Sequence, residues 1–271
     1  VPLVTTASLI DLLGTRQAVA LTGAGCSTDS GIPDYRSPGA RPRAPLQHRA
    51  FVTSADARVR YWARSTLGWP RFSAARPNAT HAALAALERR GHLAGVITQN
   101  VDSLHDKAGS QGVVELHGAL ARVRCLDCNE VTSRDELQRR LLDVNPGWMD
   151  RAHGEVAPDG DVELEAGVPF HVVPCAACGG VVMPDVVFFG GSVARATLDA
   201  AWALFDRAEL LLVLGSSLAV FSGYRFVRRA AERGVPIVIV NRGETRGDAY
   251  ASLRIDAPLA PVLAAVSAQL S

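Results

Sequence analysis

Two hydrophobic patterns alternate along the chain: short unbroken apolar runs of strand length, and longer stretches in which apolar residues recur every three or four positions. Ala7–Leu13 has the helical spacing, with Gly14 placed to cap it. Gln17–Thr22 is a buried-strand run that leads straight into Gly23-Ala24-Gly25-Cys26-Ser27. Asn78–Arg90 is an Ala/Leu helix with Asn78 or Thr80 as its N-cap and Gly91 after it. Leu93–Thr98 and Val113–Leu116 read as strands, Val101–Lys107 as a short helix and Ser133–Val144 as a longer one. In the last third the order is helix Ala194–Arg207, strand Glu209–Leu214, helix Ser222–Arg233, strand Pro236–Val240 and helix Leu259–Leu270. Apolar strands alternating with helices predict an α/β fold, a doubly wound parallel sheet covered on both faces.

The rhythm breaks twice. Pro38–Arg76 is rich in Pro, Arg and aromatics, lacks a clear strand, and reads as an insertion of loops with a short helix near Ala55–Ser65. The second excursion, about Arg122–Gly180, holds two C-x-x-C pairs and an acidic stretch, Asp150–Gly167, expected to be a solvated loop. We therefore expect a discontinuous dinucleotide-binding-type domain of residues 1–37, 77–121 and 181–271, an insertion of 38–76 and a metal module of 122–180. In open α/β sheets ligands sit outside the carboxyl ends of the strands. Polar clusters follow predicted strands at Gly23, Gln99, Gly215 and Asn241, so they should converge on one crevice.

Composition narrows the class. The chain has 271 residues, 28 basic and 27 acidic, for a net charge of +1. That balance gives no reason to expect a nucleic-acid groove or a membrane-surface patch. No apolar run approaches the ~18 residues of a membrane span. The Val-Pro-Leu start carries no secretory signal, which with unpaired thiols predicts cytoplasmic residence. Of the basic residues only Lys107 is a lysine; the Arg, Ala and Gly bias reads as a high-GC genome such as an actinobacterial one.

The five cysteines are Cys26, Cys125, Cys128, Cys175 and Cys178. Four form two C-x-x-C pairs with 46 residues between them, and the odd total argues against a disulfide framework. Paired knuckles favour tetrahedral Zn²⁺ over a thioredoxin-type redox pair, and four thiolates leave no open position, so the metal would be structural. Cys26, in the Gly-rich turn, is either an oxidation-sensitive thiol or a small buried residue.

Glycine after a strand lets backbone N–H groups approach a pyrophosphate, although the third Gly of G-x-G-x-x-G is missing here. The turn continues as Ser27-Thr28-Asp29-Ser30-Gly31-Ile32-Pro33-Asp34-Tyr35-Arg36, and polar segments of the same kind follow at Thr98–His105 and Glu115–Gly118. On GAGCSTDSGIPDYR, TQNVDSLHDKAG, ELHG, the two C-x-x-C pairs, CGGVVMPDVVFFG, LVLGSSLAVFSG and VIVNRG, in that order over nearly the whole chain, the sequence resembles the sirtuins, NAD-dependent protein-lysine deacylases. RYWARSTLGWPRF, PDVVFFGG and GSSLAVFSGYRF resemble the class II group that includes human sirtuin four.

The resemblance implies a Rossmann-type domain with a small zinc module, NAD as co-substrate, one structural Zn²⁺ held by Cys125, Cys128, Cys175 and Cys178, and acyl-lysine proteins or peptides as substrates of a monomeric enzyme. It implies that Gly23, Ala24 and Gly25 line the phosphates and that Asp34, Tyr35 and Arg36 close over NAD. Gln99, Asn100, Val101 and Asp102 would surround the nicotinamide and its ribose, with Asn100 and Asp102 counted in the catalytic set. Gly215, Ser216 and Ser217 would hold the phosphate and adenosine-ribose side, Asn241, Arg242 and Gly243 the adenosine, and Leu259 the adenine. Val186, Val187 and Phe188 would offer a strand edge to the peptide.

The catalytic base would be His117. Of seven histidines (the others are His48, His81, His92, His105, His153 and His171) it alone stands at a predicted strand end followed by Gly. Breaking the nicotinamide–ribose bond builds positive character at the ribose carbon, a weak acyl oxygen must be held close to it, and a base of pKa near 6.5 suits the proton removal that follows. Tyr61 and Arg64, three apart on one helix face, match a Y-x-x-R pair that reads acidic acyl chains in desuccinylase-type sirtuins; alternatively both pack on the insertion. Departures from the common pattern are Tyr35 for Phe, Ser216 for Thr and Gly191 for Glu; the last two agree with the class II resemblance, leave NAD use intact and put efficient simple deacetylation in doubt. The competing readings are a protein mono-ADP-ribosyltransferase using the same NAD site and a zinc-ribbon binding module without catalysis.

Overall fold

The computed structural model describes residues 3–34, 45–151 and 169–270. Among them the strands are β1 (Ala18–Thr22), β2 (Leu93–Thr98), β3 (Val113–Glu115), β4 (Gly118–Cys125), β5 (Val131–Ser133), β6 (Val182–Val186), β7 (Leu210–Leu214), β8 (Ile237–Val240) and β9 (Leu253–Ile255). The α-helices are α1 (Leu3–Thr15), α2 (His48–Thr53), α3 (Ala55–Ser73), α4 (Ala79–Arg89), α5 (Leu104–Lys107), α6 (Arg134–Val144), α7 (Arg195–Phe205), α8 (Phe221–Glu232) and α9 (Leu259–Gln269). The chain divides into two compact units, Val1–Gly31 with Arg76–Leu116 and Val193–Ser271, and Ile32–Ala75 with His117–Ser192.

The first unit is the expected doubly wound sheet. Six parallel strands lie in the order β3-β2-β1-β7-β8-β9. The four central strands are buried at every residue, which is why they read as unbroken apolar runs. Alternate residues feed opposite layers. Ala18, Ala20, Leu210, Leu212, Val238 and Val240 pack with Leu84, Leu263 and their neighbours on α1, α4 and α9. Val19, Leu21, Leu211, Val213, Ile237 and Ile239 pack with Phe205, Phe226 and Val227 on α7 and α8. In β2 the alternation slips at Gly95, opposite a register shift at Ala18/Val19. Gly95 has φ +153°, and a Cβ there would stand 2.4 Å from the Gly112 carbonyl, so the bulge needs glycine.

The second unit carries a three-stranded antiparallel sheet, order β5-β4-β6, that the sequence reading did not foresee. Arg122 and Arg124 point to one face of β4 and both pair with Asp185 of β6, at 3.0 and 3.1 Å. Its core joins Phe51, Tyr61, Trp62, Leu67, Val123, Leu137, Leu141, Trp148 and Phe170.

Helix limits differ in three places. α1 begins at Leu3 and runs through Gly14 to Thr15, whose hydroxyl donates to the carbonyl of Asp11 (3.0 Å), so Gly14 is not the cap. The insertion's helix is α3, 19 residues long rather than a short segment, and it passes Pro70. Proline removes the bond to the Thr66 carbonyl, and Gln138 Nε2 of α6 donates to that carbonyl instead, at 2.8 Å. α5 starts at Leu104 rather than Val101, because Ser103 adopts φ +55° and Asp102 Oδ1 accepts the Leu104 amide at 2.9 Å. Most of the acidic stretch Asp150–Gly167 lies outside the described residues.

Two histidines are closed inside the first unit. His81 Nδ1 accepts the Asn78 amide (3.3 Å), completing a capping box at the start of α4, so its ring proton sits on Nε2. His105 lies 4.8 Å away by ring centroid, with Nε2 2.9 Å from Thr22 Oγ1. Burial holds His81 down to about 4, and burial together with the neighbouring ring holds His105 down to about 3, from an ordinary 6.5. Both are neutral in the fold and take up protons on unfolding. Their stabilisation is complete above pH 6.5 and is lost as pH falls from there toward 4. His81→Gln keeps an acceptor for the Asn78 amide and removes one titrating group. Denaturant titrations between about pH 4.5 and 6 should show its stability falling less steeply than wild type by about 1.4 kcal/mol per pH unit, and an equal slope would place the protons elsewhere.

Candidate functional site

The strand order reverses between β1 and β7: the chain leaves β1 for β2 on one side and later enters β7 on the other. The polar clusters Gly23–Ser27, Gln99–Asp102, Gly215–Ser217 and Asn241–Gly243 follow β1, β2, β7 and β8, four adjacent strands, so they do converge on one edge of the sheet. That edge is where such folds bind ligands.

The turns after β1 and β7 interlock backbone to backbone. Gly23 N donates to Leu214 O (3.0 Å) and Gly25 N to Gly215 O (2.9 Å). Gly215 has φ +58°, and a Cβ on it would stand 2.7 Å from Cys26 N; one on Gly23 would stand 2.7 Å from Ser216 Cβ. These glycines are therefore required first by the approach of one turn to the other, before any ligand is considered. Among the described residues the Ala24 and Ser216 amides donate to no backbone carbonyl. Unpaired N–H groups on adjoining turns are a donor set that suits phosphate oxygens.

A buried polar network stands beside this interlock. Asn100 Nδ2 donates to Gly23 O and to Ser27 Oγ, both at 3.0 Å. Ser27 Oγ donates to Asp102 Oδ2 at 2.6 Å, and Leu104 N donates to Asp102 Oδ1. Gln99 Nε2 bridges to Ser216 Oγ at 2.8 Å, tying the β2 turn to the β7 turn. Burial pushes the Asp102 carboxyl up, while the bonds from Ser27 and Leu104 and the charge of Lys107 pull it back. Val101 is half-buried between these residues in sequence.

Nothing local in the sequence marks Ser27; its bonds to Asn100 and Asp102 join positions 73 and 75 residues apart. Asn78, read only as a cap, also donates to Cys26 O (2.8 Å) and Ser30 Oγ (3.0 Å), fixing the Gly-rich turn from the far side. Cys26 is buried, its thiol donates to Leu214 O at 3.4 Å, and burial pushes it well above the ordinary thiol range. It is a packed small residue and not a reactive thiol.

After β8, Asn241 Nδ2 donates to the carbonyls of Arg242 (2.7 Å) and Gly243 (3.1 Å), and Arg254 braces the same turn through Asn241 O and Gly243 O. Leu259, at the start of α9, belongs to the apolar core with Val262 and Leu263 and is 7% exposed. Ser217 O accepts from Arg246 N.

In the second unit, His117 is half-buried in the turn that precedes β4, and its carbonyl accepts Val187 N at 2.9 Å. Val186 closes β6 opposite Gly118, and β6 is an edge strand of its sheet. Phe188 stacks on Phe51 (5.2 Å) and meets Tyr61 edge-on (5.4 Å). Tyr61 is buried in that aromatic group and Arg64, one turn on, is half-buried. Asp34 is half-buried; Tyr35 and Arg36 lie outside the described residues.

The four sulfurs of Cys125, Cys128, Cys175 and Cys178 lie within 4.8 Å of one another, with 3.5 Å between Cys125 and Cys178 and 3.8 Å between Cys128 and Cys175. Four sulfurs at ~2.3 Å from a shared ion stand about 3.8 Å apart at tetrahedral corners, so the set fits one metal ion. The Asp127 amide donates to Cys125 Sγ, and Asp127 Oδ2 accepts Val181 N (2.8 Å), tying one knuckle to the other.

An open parallel sheet with interlocked glycine turns at its reversal point defines a dinucleotide-type α/β protein, and the same chain carries a four-thiol cluster that could hold a metal ion. The family model described as Sir2 family matches residues 23–222, and the chain belongs to that family. It is 50% identical over 267 residues to NAD-dependent protein deacetylase 1 of Mycobacterium avium, spanning 97% of this chain and 95% of that protein. It is 52% identical over 248 residues to the NAD-dependent protein lipoamidase sirtuin-4, mitochondrial, of Bos taurus, spanning 89% of this chain and 78% of that one. Among solved structures it resembles a Sir2 complex with p53 peptide and NAD+, with a TM-score of 0.78, 31% identity and 97% of each chain covered.

Ser27 is the hinge of the Asn100–Asp102 network. Ser27→Ala should destabilise the protein by about 1.5–3 kcal/mol, because it strips a buried carboxylate of a charged hydrogen bond. In a double-mutant cycle with Asp102→Asn the two losses should fall well short of additive; additivity would mean that the bond contributes nothing.

Proposed function

We propose that this chain is an NAD-dependent protein-lysine deacylase. The observation that carries the reading is the Asn100–Ser27–Asp102 network set against the interlocked turns, since it places a buried carboxylate, a carboxamide and unpaired amides at the edge of a dinucleotide-type sheet. The names of relatives at 50% and 52% identity, a deacetylase and a lipoamidase, support the same class.

In this reading NAD supplies the activated ribosyl group that accepts the acyl chain. Ala24 and Ser216 amides, with Gly23, Gly25, Gly215 and Ser217 around them, hold its phosphates. Asn100 and Asp102, positioned by Ser27 and flanked by Gln99 and Val101, orient the nicotinamide and its ribose. Asn241, Arg242 and Gly243 serve the adenosine side, with Leu259 beneath them in the core, and Asp34, Tyr35 and Arg36 form the closing segment. His117 accepts a proton at a ring nitrogen, a task for which an imidazole suits neutral pH. The edge of β6, with Val186, Val187 and Phe188, takes an extended peptide as an added strand. Tyr61 and Arg64 read the far end of the acyl chain.

Mass spectrometry of NAD reactions with acetyl-, succinyl-, glutaryl-, lipoyl- and long-chain acyl-lysine peptides tests this. Wild type should form O-acyl-ADP-ribose and free lysine from at least one acyl class, and His117→Ala should lose about a hundredfold or more of that rate. Intact NAD binding with no turnover on any peptide would sink the proposal.

We assign zinc to the four-thiol cluster, as a structural ion with no open coordination position. One equivalent of zinc should be released by a strong chelator, with loss of the melting transition of the second unit and of activity. Full activity in metal-free protein would contradict the assignment.

A further inference from the structure

Arg134, the first residue of α6, is 1% exposed, among the largest side chains fully closed to solvent. Its guanidinium carbon lies 5.3 Å from the Trp62 ring centroid and 5.2 Å from that of Trp69, so both indoles of α3 flank it. Among the described residues its Nη2 makes a long bond to Ser65 Oγ (3.4 Å) and its Nη1 meets no acceptor. The adjacent acid, Asp135, instead accepts Trp69 Nε1 at 2.7 Å. Burial lowers Arg134 only to about 10, so it is charged at neutral pH. Among the described residues this is a buried cation flanked by two aromatic faces, with the Asp135 charge nearby but no carboxylate in an ion pair with it. Such an ion is a poor source of stability, since an apolar replacement of similar volume is often neutral or stabilising.

What the cation does fix is the setting of α3. Trp62, Ser65 and Trp69 share the helix face turned to α6, where Gln138 Nε2 also donates to Thr66 O. Tyr61 and Arg64 occupy the adjoining face. The Trp62 ring, held by Arg134, packs edge-on to Tyr61 at 5.1 Å, and Tyr61 packs on Phe51 and Phe188 at 5.4 Å each. A continuous chain of contacts runs from the buried cation through Trp62 to Tyr61 and to Phe188, which follows β6. A planar guanidinium meets two indole faces at once; an ammonium cannot stack in this way.

We infer that Arg134 is a positioning residue for acyl selection: by clamping Trp62 and Trp69 it sets the orientation of the Tyr61 and Arg64 face of α3. This rests on the reading of Tyr61 and Arg64 as the residues that meet the acyl chain. A residue that only stabilised the fold would scale turnover of all substrates together. A positioning residue changes the ratio between acyl classes.

The test compares wild type, Arg134→Met, Arg134→Lys and Arg64→Ala. For each, kcat/KM is measured on one peptide carrying acetyl-, glutaryl- or lipoyl-lysine, with the KM for NAD, the Tm and the zinc content. Arg134→Met should keep Tm, zinc and the KM for NAD while changing the ratio of the best acyl class to the worst by ~10-fold or more. Arg134→Lys should fall between, with a shift of about threefold, because it keeps the charge but loses the double stack. If Arg134→Met does not fold, the lysine variant decides alone. A wild-type ratio in either folded variant, or equal scaling of every acyl peptide, overturns the inference. Arg64→Ala separates the two layers: an unchanged ratio there removes the acyl-reading role of α3 and the inference with it. A changed ratio there beside unchanged Arg134 variants removes the inference alone.

Discussion

The carboxyl edge of the parallel sheet depends on one steric constraint, the backbone-to-backbone approach of the turns after β1 and β7. Gly23, Gly25 and Gly215 meet there with no room for a Cβ, and two hydrogen bonds hold the contact, both donated by the β1 turn, from Gly23 N and Gly25 N. Everything polar at that edge is referenced to it. Asn100 reaches the carbonyl of Gly23, Ser27 follows the interlocked turn to reach Asp102, and Gln99 crosses to Ser216. The glycines thus first make one loop surface out of two. Among the described residues the turns so joined leave the Ala24 and Ser216 N–H groups without backbone carbonyl partners, a donor arrangement of the kind that suits an anion.

The same constraint explains how a carboxylate can sit at the edge of a low-dielectric core. Asp102 is 8% exposed and its charged form is disfavoured by burial. Ser27 and the Leu104 amide compensate, each held by backbone that has little freedom: Ser27 by the interlock, Leu104 by the left-handed turn at Ser103. A buried polar network is stable only when its members are satisfied and fixed. Here rigidity comes from the sheet below and from Asn78, which holds the turn at Cys26 and Ser30.

Much of the first unit was legible in the sequence because one physical rule governs it. Strands buried on both faces must be apolar throughout, so β1, β2, β7 and β8 announced themselves, and Asn78 and Gly91 marked the ends of α4. The cysteine spacing likewise pointed to a four-thiol cluster, since four ligands in two knuckles have one economical arrangement. Elsewhere tertiary contacts decide. The insertion read as a short helix near Ala55–Ser65, yet α3 runs on past Pro70, where Gln138, far along the chain, takes the carbonyl that proline leaves. β4 and β6 are only partly buried, so they lack an unbroken apolar run, and Asp185 between two arginines joins them, a contact without periodicity. Leu259 was placed by resemblance; the structure shows its packing in the core, where any cofactor contact would be through its edge. Ser27 and Arg134 carried no local signal, because their roles are defined by partners distant in sequence.

The two units are therefore specified by different means. Six parallel strands between two helical layers supply the first with a continuous core. The second has strands of three, eight and five residues, too little sheet to bury a core alone. Its aromatic and aliphatic core is supplemented by point contacts: four converging thiols, a carboxylate between two arginines, and a guanidinium between two indoles that orients more than it stabilises. Continuous layers resist change because any shift disturbs many contacts at once. Point contacts are separable, so one can be altered while the others hold. Tyr61 and Arg64, the residues proposed to read the acyl chain, stand on the second kind of architecture, where one contact can change without unsettling the sheet that carries the glycine turns.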